Sequence, residues 1–270
     1  METGYHILQP GTIRSSPYVY FTAELTHGEL EAPVGVVRGL RLHNVRIDQE
    51  ASFVRLSTGT GVQVRLYVDL NDCPDQQTTE LLRESHSGEI RLDPPARKIF
   101  VNLHKHKYIL FVDEKGILCS IPLLLLLAKQ GIQTEVYYVQ SYAKDSPKTL
   151  KRYAKSLDIP VRIIREWKRP SLSLLLAERT IDTQLVVICR WPLYNNLVKL
   201  ARELGFAKED IEGYDNGDKE ESVFCVRCYK LQRKPVESET SCLHCGASLS
   251  ISNHYSERLE AYLGYVLCKE

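Results

Sequence analysis

The sequence has almost no net charge: 35 Lys and Arg stand against 34 Asp and Glu, leaving +1 over 270 residues. Without an excess of one sign there is no electrostatic footprint for nucleic acid or for an anionic membrane surface, and neither is expected as a partner. A long apolar run is also missing. The longest, Ile117 to Ala128, contains Ser120 and Pro122 and falls well short of the ~20 residues that cross a bilayer. The chain starts Met-Glu-Thr-Gly-Tyr-His, with no basic segment leading into an apolar run, so no secretory signal is expected. There is no internal repeat and no low-complexity tract. No Ser-His-Asp set, paired-carboxylate pocket or intact glycine-rich phosphate loop is legible, so no catalytic residue is assigned.

What the chain does have is cysteine, eight in all. Without a secretory signal they fit a reducing, cytoplasmic compartment, where Cys-x-x-Cys pairs read as metal ligands rather than disulfides. Four are spaced Cys225-x2-Cys228-x13-Cys242-x2-Cys245. Each pair can close a tight knuckle that turns both sulfurs to one ion, and the intervening thirteen residues make a hairpin that brings the knuckles together. Four thiolates at the corners of a tetrahedron suit one Zn2+ per chain. Iron in a rubredoxin-like site is the competitor, since it uses the same two knuckles. A plant-type [2Fe–2S] cluster is disfavoured because its C-x4-C-x2-C run is absent. Gly246 stands where a positive φ is often needed. His244 and His254 are alternative ligands, but four sulfurs already fill a site. Cys73, Cys119, Cys189 and Cys268 are dispersed, and Cys119 and Cys189 read as small buried hydrophobes.

Apolar residues make up 43% of the chain, enough for a real core. Their pattern divides it into three. Residues 1–105 carry short alternating runs such as Tyr18 to Phe21, Val36 to Leu40 and Val62 to Val68, broken by Gly, Asn, Asp and Pro, which predicts a β-rich domain. Residues 106–214 switch to continuous apolar strands at Tyr108–Val112, Glu135–Val139, Val161–Ile164 and Leu185–Cys189. These alternate with predicted helices over Ile117–Lys129, Pro147–Leu157, Ser171–Glu178 and Tyr194–Leu204. That pattern predicts an α/β domain with a parallel sheet covered on both faces. Residues Glu212 to Ser222 read as a linker. Residues 215–270 hold the metal ribbon and a predicted C-terminal helix, capped by Ser256 with Leu259, Tyr262 and Leu263 as its apolar stripe.

The α/β region resembles the nicotinamide-binding half of ferredoxin–NADP+ reductase-like oxidoreductases. In that family the first strand runs into Gly-Gly-x-Gly-x-Thr-Pro, which cradles the dinucleotide pyrophosphate. Here the stretch is Val112-Asp113-Glu114-Lys115-Gly116-Ile117-Leu118-Cys119-Ser120-Ile121-Pro122. Pro122 and the leucine helix fit, but only Gly116 remains of the glycines. Asp113 and Glu114 place negative charge where phosphates would approach. The family's Cys-Gly-Pro after the last strand becomes Cys189-Arg190-Trp191-Pro192. Its flavin-binding Arg-x-Tyr-Ser/Thr strand becomes Arg65-Leu66-Tyr67-Val68, without the hydroxyl. The resemblance therefore implies a reductase-shaped chain with a Rossmann-like sheet and no flavin or NAD of its own.

The tail is similar to a second family. The ribbon followed by His254-Tyr255-Ser256-Glu257-Arg258-Leu259-Glu260-Ala261-Tyr262-Leu263-Gly264 resembles the DmmA-like subunit of bacterial dimethylamine monooxygenase, which also places a degenerate reductase-like region before a cysteine ribbon. The resemblance implies a zinc-containing, non-catalytic scaffold subunit in an oxidoreductase complex that demethylates dimethylamine. Its expected partners are a haem-containing oxygenase chain and flavin and iron–sulfur reductase chains. Arg190, Trp191, Tyr255, Arg258 and Tyr262 are the candidate partner-binding residues, because Arg and aromatic side chains dominate binding hot spots; packing of the tail on its own domain is equally open. A divergent NAD(P)H or flavin reductase, or a rubredoxin-like electron carrier, remains the alternative function.

Overall fold

The computed structural model describes residues 3–13, 16–27, 32–43, 45–58, 61–93, 95–140, 146–165, 169–177, 182–215, 221–256, 258–259 and 261–267. The chain forms two compact units, residues 1–216 and 217–270. Among the described residues, period-two alternation folds the first hundred positions into β1 (Thr3–Thr12), β2 (Tyr18–His27), β3 (Val34–Val37), β4 (Leu40–Leu42), β5 (Val45–Ile47), β6 (Ala51–Thr58), β7 (Gly61–Asp69), β8 (Glu89–Leu92) and β9 (Pro95–Ile99). They pair antiparallel in the order β5-β4-β8-β1-β2-β7-β6-β3-β9. Successive side chains point to opposite faces, and both faces of β6 and β7 are buried. Phe53, Val64, Leu66 and Val68 enter one apolar cluster, while Val54, Leu56 and Tyr67 enter another. The strand-only expectation for this region missed one helix, α1 (Gln76–Glu84). Asp75 caps it, its carboxylate accepting from the Thr78 N–H at 2.6 Å, and Leu82 is buried beneath it.

The α/β half follows the strand-helix alternation expected from its apolar runs. Strands β10 (Lys107–Val112), β11 (Gln133–Val139), β12 (Val161–Ile164), β13 (Thr183–Cys189) and β14 (Ile211–Asp215) lie parallel in the order β12-β11-β10-β13-β14. Helices α2 (Ile117–Lys129) and α3 (Lys148–Ser156) share an apolar cluster with one face of the sheet. Helices α4 (Arg169–Ala177) and α5 (Trp191–Glu203) share a cluster with the other. Strand β14 corrects the start of the linker: Ile211 to Asp215 extend the sheet in register with Leu185 to Cys189. The polar composition there reflects an edge strand rather than a linker. The end of the predicted linker is corrected too, since Ser222 opens a strand of the second unit; its residues 216–220, and residue 178 at the predicted end of the third helix, lie outside the described residues.

Pro122 shows how a sequence feature sets a tertiary contact. A proline inside a helix has no N–H for the carbonyl four residues earlier, here Leu118. The Ser52 hydroxyl of β6 donates to that Leu118 oxygen at 2.7 Å. The acceptor that proline leaves free thus becomes a tie between the antiparallel sheet and α2.

The second unit holds β15 (Ser222–Cys225), β16 (Leu231–Arg233), β17 (Glu239–Ser241), β18 (Ser248–Ser256) and β19 (Ala261–Val266), in the order β16-β15-β19-β18-β17. The predicted C-terminal helix is therefore a strand. β19 pairs antiparallel with β18 and parallel with β15. Ala261-Tyr262-Leu263-Gly264-Tyr265-Val266 suits a strand, and Gly264 in a helix interior would cost ~1 kcal/mol. A Cβ on Gly264 would meet Val223 Cγ1 at 2.7 Å, so the bare glycine lets the strands close. Ser256 caps a tight turn instead of a helix, accepting from the Leu259 N–H at 3.3 Å. Among the described residues no helix is long and apolar enough to cross a membrane.

Candidate functional site

The two Cys-x-x-Cys knuckles repeat one backbone pattern. In the first, the Tyr229 N–H donates to the Cys225 carbonyl at 2.8 Å and the Cys225 N–H to the Lys230 carbonyl at 3.0 Å. In the second, Gly246 N–H donates to Cys242 O at 2.9 Å and Cys242 N–H to Ala247 O at 2.8 Å. The residues closing the turns, Tyr229 and Gly246, have φ of 61° and 69°. The match brings all four ligand sulfurs within 4.8 Å of one another. Cys225 and Cys245 sulfurs are 3.9 Å apart, and those of Cys228 and Cys242 3.6 Å. A tetrahedron with metal–sulfur bonds of ~2.3 Å has edges of about 3.8 Å, so the four thiols fit a single tetrahedral ion. Cys225 and Cys242 are buried, Cys228 is half-buried and Cys245 is the most open.

Electrostatics divides the thiols. Burial opposes ionisation of Cys242, but the backbone N–H groups of His244 and Cys245, with the neighbouring thiols, outweigh it and hold its pKa down at about 6. Burial pushes the Cys228 thiol up to about 12, and its hydrogen bonds to the other sulfurs add to the rise. Neither histidine is placed as a ligand. The His244 Nε2 sits 3.1 Å from the Leu231 carbonyl, and His254 is exposed with its N–H on Ser252 Oγ. Cys268 lies outside the described residues.

In the α/β half, strand order reverses between β10 and β13, the place where a parallel sheet opens a crevice at its carboxyl edge. Here an ion pair between the chain's own side chains lies at that point. Asp113, directly after β10, has no exposed surface. Its carboxylate accepts from the Gly116 N–H at 3.1 Å and from both the backbone N–H and the Nε of Arg190, each at 2.9 Å. Arg190 directly follows β13, so one ion pair, with 26% of the Arg190 side chain exposed, bolts the two strand ends together. A Cβ on Gly116 would lie 2.0 Å from the Ile188 carbonyl oxygen, so this glycine serves close packing of the turn against β13. Glu114 accepts from the Tyr138 hydroxyl at 2.6 Å and the Ser146 N–H at 3.2 Å. A pyrophosphate needs free N–H groups and no facing carboxylate, and this turn does not fit one. Cys189 is fully buried, its thiol donating to the Phe111 carbonyl at 3.5 Å; burial first and Asp113 second push its pKa well up, which leaves it unreactive.

The side chains of the flavin-like strand also pair within the chain. Tyr67 is 1% exposed, its hydroxyl 2.9 Å from that of Tyr153, whose ring stands edge-on at 6.3 Å. Arg65 donates to Thr22 Oγ1 at 3.1 Å and lies over the Tyr20 ring at 4.9 Å. Val68 is buried in the sheet's core.

The candidate partner residues separate into two settings. Arg190 turns inward to Asp113, and Trp191, half-buried, stacks on Tyr194 at 5.6 Å. In the second unit Tyr262 lies edge-on to Tyr255 at 5.3 Å, under the Lys234 ammonium at 4.6 Å, with its hydroxyl donating to Glu221 at 3.1 Å. Arg258 is exposed in the β18–β19 turn. The pairing of Asp113 with Arg190 and the left-handed Tyr229 were not foreseen. Opposite charges directly after the two central strands, and Tyr229 standing where the second knuckle has glycine, were the signals available.

Residues 222–265 match the family model of the C-terminal domain of the DmmA-like subunit of dimethylamine monooxygenase. Among curated proteins, the delta subunit of a heme-dependent oxidative N-demethylase from Ectopseudomonas mendocina (strain ymp) is 35% identical over 74 residues, covering 27% of this chain and 40% of that relative. The match thus spans less than half of the relative's length. The likeness to DmmA-like subunits is thus one of the C-terminal domain, residues 222–265. The chain also resembles the flavohem-like FAD/NAD-binding domain of nitric oxide dioxygenase from Vibrio cholerae O1 biovar El Tor, with 13% identity, a TM-score of 0.52, and coverage of 80% of this chain and 99% of that one. It resembles the CS-b5R domains of human Ncb5or in the NAD+ form with 15% identity, a TM-score of 0.51, and coverage of 79% and 69%. At these identities the likeness is one of fold.

Proposed function

We propose that this chain is a non-catalytic docking subunit of a multicomponent, haem-dependent monooxygenase that oxidatively demethylates dimethylamine, with one structural zinc in its ribbon. The observation that carries this reading is the joining of a DmmA-like ribbon to a reductase-shaped unit whose two central strand ends are bridged by Asp113 and Arg190. A reductase needs the crevice there for its dinucleotide. Here a buried carboxylate takes three donors where phosphate oxygens would, and Tyr153 packs on the ring of Tyr67. The shape persists without the groups that hold a cofactor, which favours a role in binding other chains over electron transfer. Zinc, when bound to Cys225, Cys228, Cys242 and Cys245, would supply structure and no redox chemistry. Haem, flavin and iron–sulfur groups belong, in this reading, to partner chains, and paired Cys-x-x-Cys spacing read as metal ligands favours a reducing, cytoplasmic setting.

The test is activity of the reconstituted complex. Dimethylamine oxidation should require this chain together with its partners, and the chain alone should oxidise no amine. Titration with NADH or NADPH should give no tight binding; a dissociation constant in the low micromolar range would restore the reductase reading. The visible spectrum separates the metal readings, since zinc is colourless and ferric tetrathiolate is red.

A further inference from the structure

We infer that the metal-bearing end of the second unit is a docking surface for an apolar pocket bearing carboxylates on another protein chain. The inference rests on the subunit reading above and assigns it a surface and a partner chemistry. Phe224 and Leu231 are cross-strand partners on β15 and β16, and the Tyr229 ring lies 6.1 Å from that of Phe224. The second knuckle is tied beside them. The Leu243 N–H donates to Gln232 Oε1 at 2.7 Å, and His244 reaches the Leu231 carbonyl at 3.1 Å. Phe224, Tyr229 and Leu231 thus form an apolar cluster with the second knuckle next to it, and Tyr229 is 74% exposed, Leu231 50% and Leu243 81%.

Tyr229 says more than its exposure does. It holds φ of 61° at the position where the matching knuckle has Gly246 at 69°. A residue with a Cβ is strained in that region and glycine is not. A ring three-quarters exposed regains little of that cost by packing inside its own chain. Its value then lies outside the chain, and tyrosine is among the residue types that dominate binding energy. The cations nearby fix the partner's chemistry. Residues 222–234 contain Arg227, Lys230, Arg233 and Lys234 and no Asp or Glu. Lys234 is paired with Glu221 at 2.8 Å, whereas Arg227, Lys230 and Arg233 are exposed. Exposed apolar side chains with cations beside them in the chain, Lys230 between Tyr229 and Leu231 and Arg233 on the Leu231 side of β16, are complementary to an apolar pocket bearing carboxylates. Phosphates would also suit the cations, and the exposed Tyr229 ring could stack on a base; the aliphatic Leu231 and Leu243 beside it and the chain's net charge of only +1 favour a protein, and oligonucleotide binding is an outcome the test includes.

The experiment uses the full-length chain and the complex it forms with its partner subunits. Carbodiimide joins an amine to a carboxylate in contact, and it should link Lys230 to Asp or Glu of another subunit. Tyr229→Gly and Leu243→Ser should retain the metal and an undiminished melting temperature, yet each should weaken assembly by about tenfold. Glycine at 229 relieves the strain, so losing affinity without losing stability is a signature that a merely structural residue would not give. If the wild-type chain assembles and both variants assemble equally well, this surface is wrong and the subunit reading stands. If the wild-type chain assembles with nothing, the subunit reading itself fails, and the surface with it. Links from Lys230 only to this chain's own first unit, or binding of a short single-stranded oligonucleotide that both substitutions abolish, would also overturn the proposal.

Discussion

The two units of this chain are built on different balances of apolar and polar attraction. The first buries three apolar clusters, two of them covering opposite faces of the parallel sheet, with aromatic residues such as Phe53, Tyr108 and Phe111 fully enclosed. The second, among its described residues, buries Val223, Ala247, Leu249 and Ile251 and, with them, Cys225 and Cys242. Domains of this size rarely fold on so small a core without a staple. The difference teaches where each unit is vulnerable: the first to loss of packing or of its buried ion pair, the second to loss of four sulfur–metal bonds.

Metal removal should break that symmetry most strongly. Structural zinc contributes on the order of 10 kcal/mol to folding a small domain, so chelation or Cys242→Ser should unfold residues 217–270 and leave the first unit folded. Elemental analysis should give about one zinc per chain, with protease resistance reporting on each unit. Full metal content in the Cys242→Ser protein would show that the ligands are wrongly assigned. The pH dependence has a defined sign. Metal and protons compete for the same sulfurs, so retention against a chelator should weaken as pH falls. Cys242, held at about 6, is ready as thiolate at neutral pH. Cys228, pushed up to about 12, must surrender its proton on binding, so retention should keep improving above neutral pH.

The fold class was legible because its signals are local. Continuous apolar strands alternating with helices placed β10, β11, β12 and β13 to within two residues, and the paired Cys-x-x-Cys spacing brought the four thiols together. What was not legible depends on tertiary pairing. Asp113 and Arg190 are 77 positions apart, and their contact follows from which strands become neighbours. The C-terminal helix failed because Leu259, Tyr262 and Leu263 satisfy a helical period by chance, while β15 and β18 offered edges that a strand could join. Tyr229 itself is not a residue type expected at positive φ, and only its alignment with Gly246 of the second knuckle could have pointed to it.

The next test acts on the first unit alone. Asp113→Ala would remove the carboxylate that pairs with the Arg190 guanidinium and accepts from the Gly116 and Arg190 N–H groups. Breaking a buried pair costs about 3–5 kcal/mol, and the partial exposure of Arg190 lowers that to about 2–4 kcal/mol. Urea unfolding of the first unit should show the loss, with metal content unchanged. An unaltered midpoint would mean that the two strand ends are not held together by this pair. A smaller effect is expected from Ser52→Ala, which leaves the Leu118 carbonyl inside the core without the donor that Pro122 cannot supply. An unsatisfied buried acceptor costs about 1–3 kcal/mol. Ser52→Thr, which keeps the hydroxyl, should retain more stability than the alanine variant; if the two are equal, the hydrogen bond is not what matters.

The smallest expected effect separates the two roles offered for the tail. Tyr262 is held from three sides, by Tyr255, Lys234 and Glu221, and Lys234 and Glu221 are themselves paired at 2.8 Å. This polar–aromatic cluster joins β19 to the segments flanking β15 and β16. Hydrogen bonding to Glu221 first, and burial second, raise the Tyr262 pKa, so the phenol stays protonated as the donor across the physiological range. Tyr262→Phe keeps the ring and its contacts and deletes one solvent-accessible hydrogen bond. The melting temperature of the metal-loaded second unit should fall by roughly a few degrees at most. Arg258 stands in the neighbouring turn and is exposed. Arg258→Ala should therefore leave the melting temperature unchanged and weaken assembly with the partner subunits, whereas Tyr262→Phe should do the reverse. If both variants lower stability and neither touches assembly, the tail is a structural brace and no part of the docking surface. If Arg258→Ala alone disrupts the complex, partner contact in this hairpin belongs to the exposed cation and not to the tyrosine beneath it.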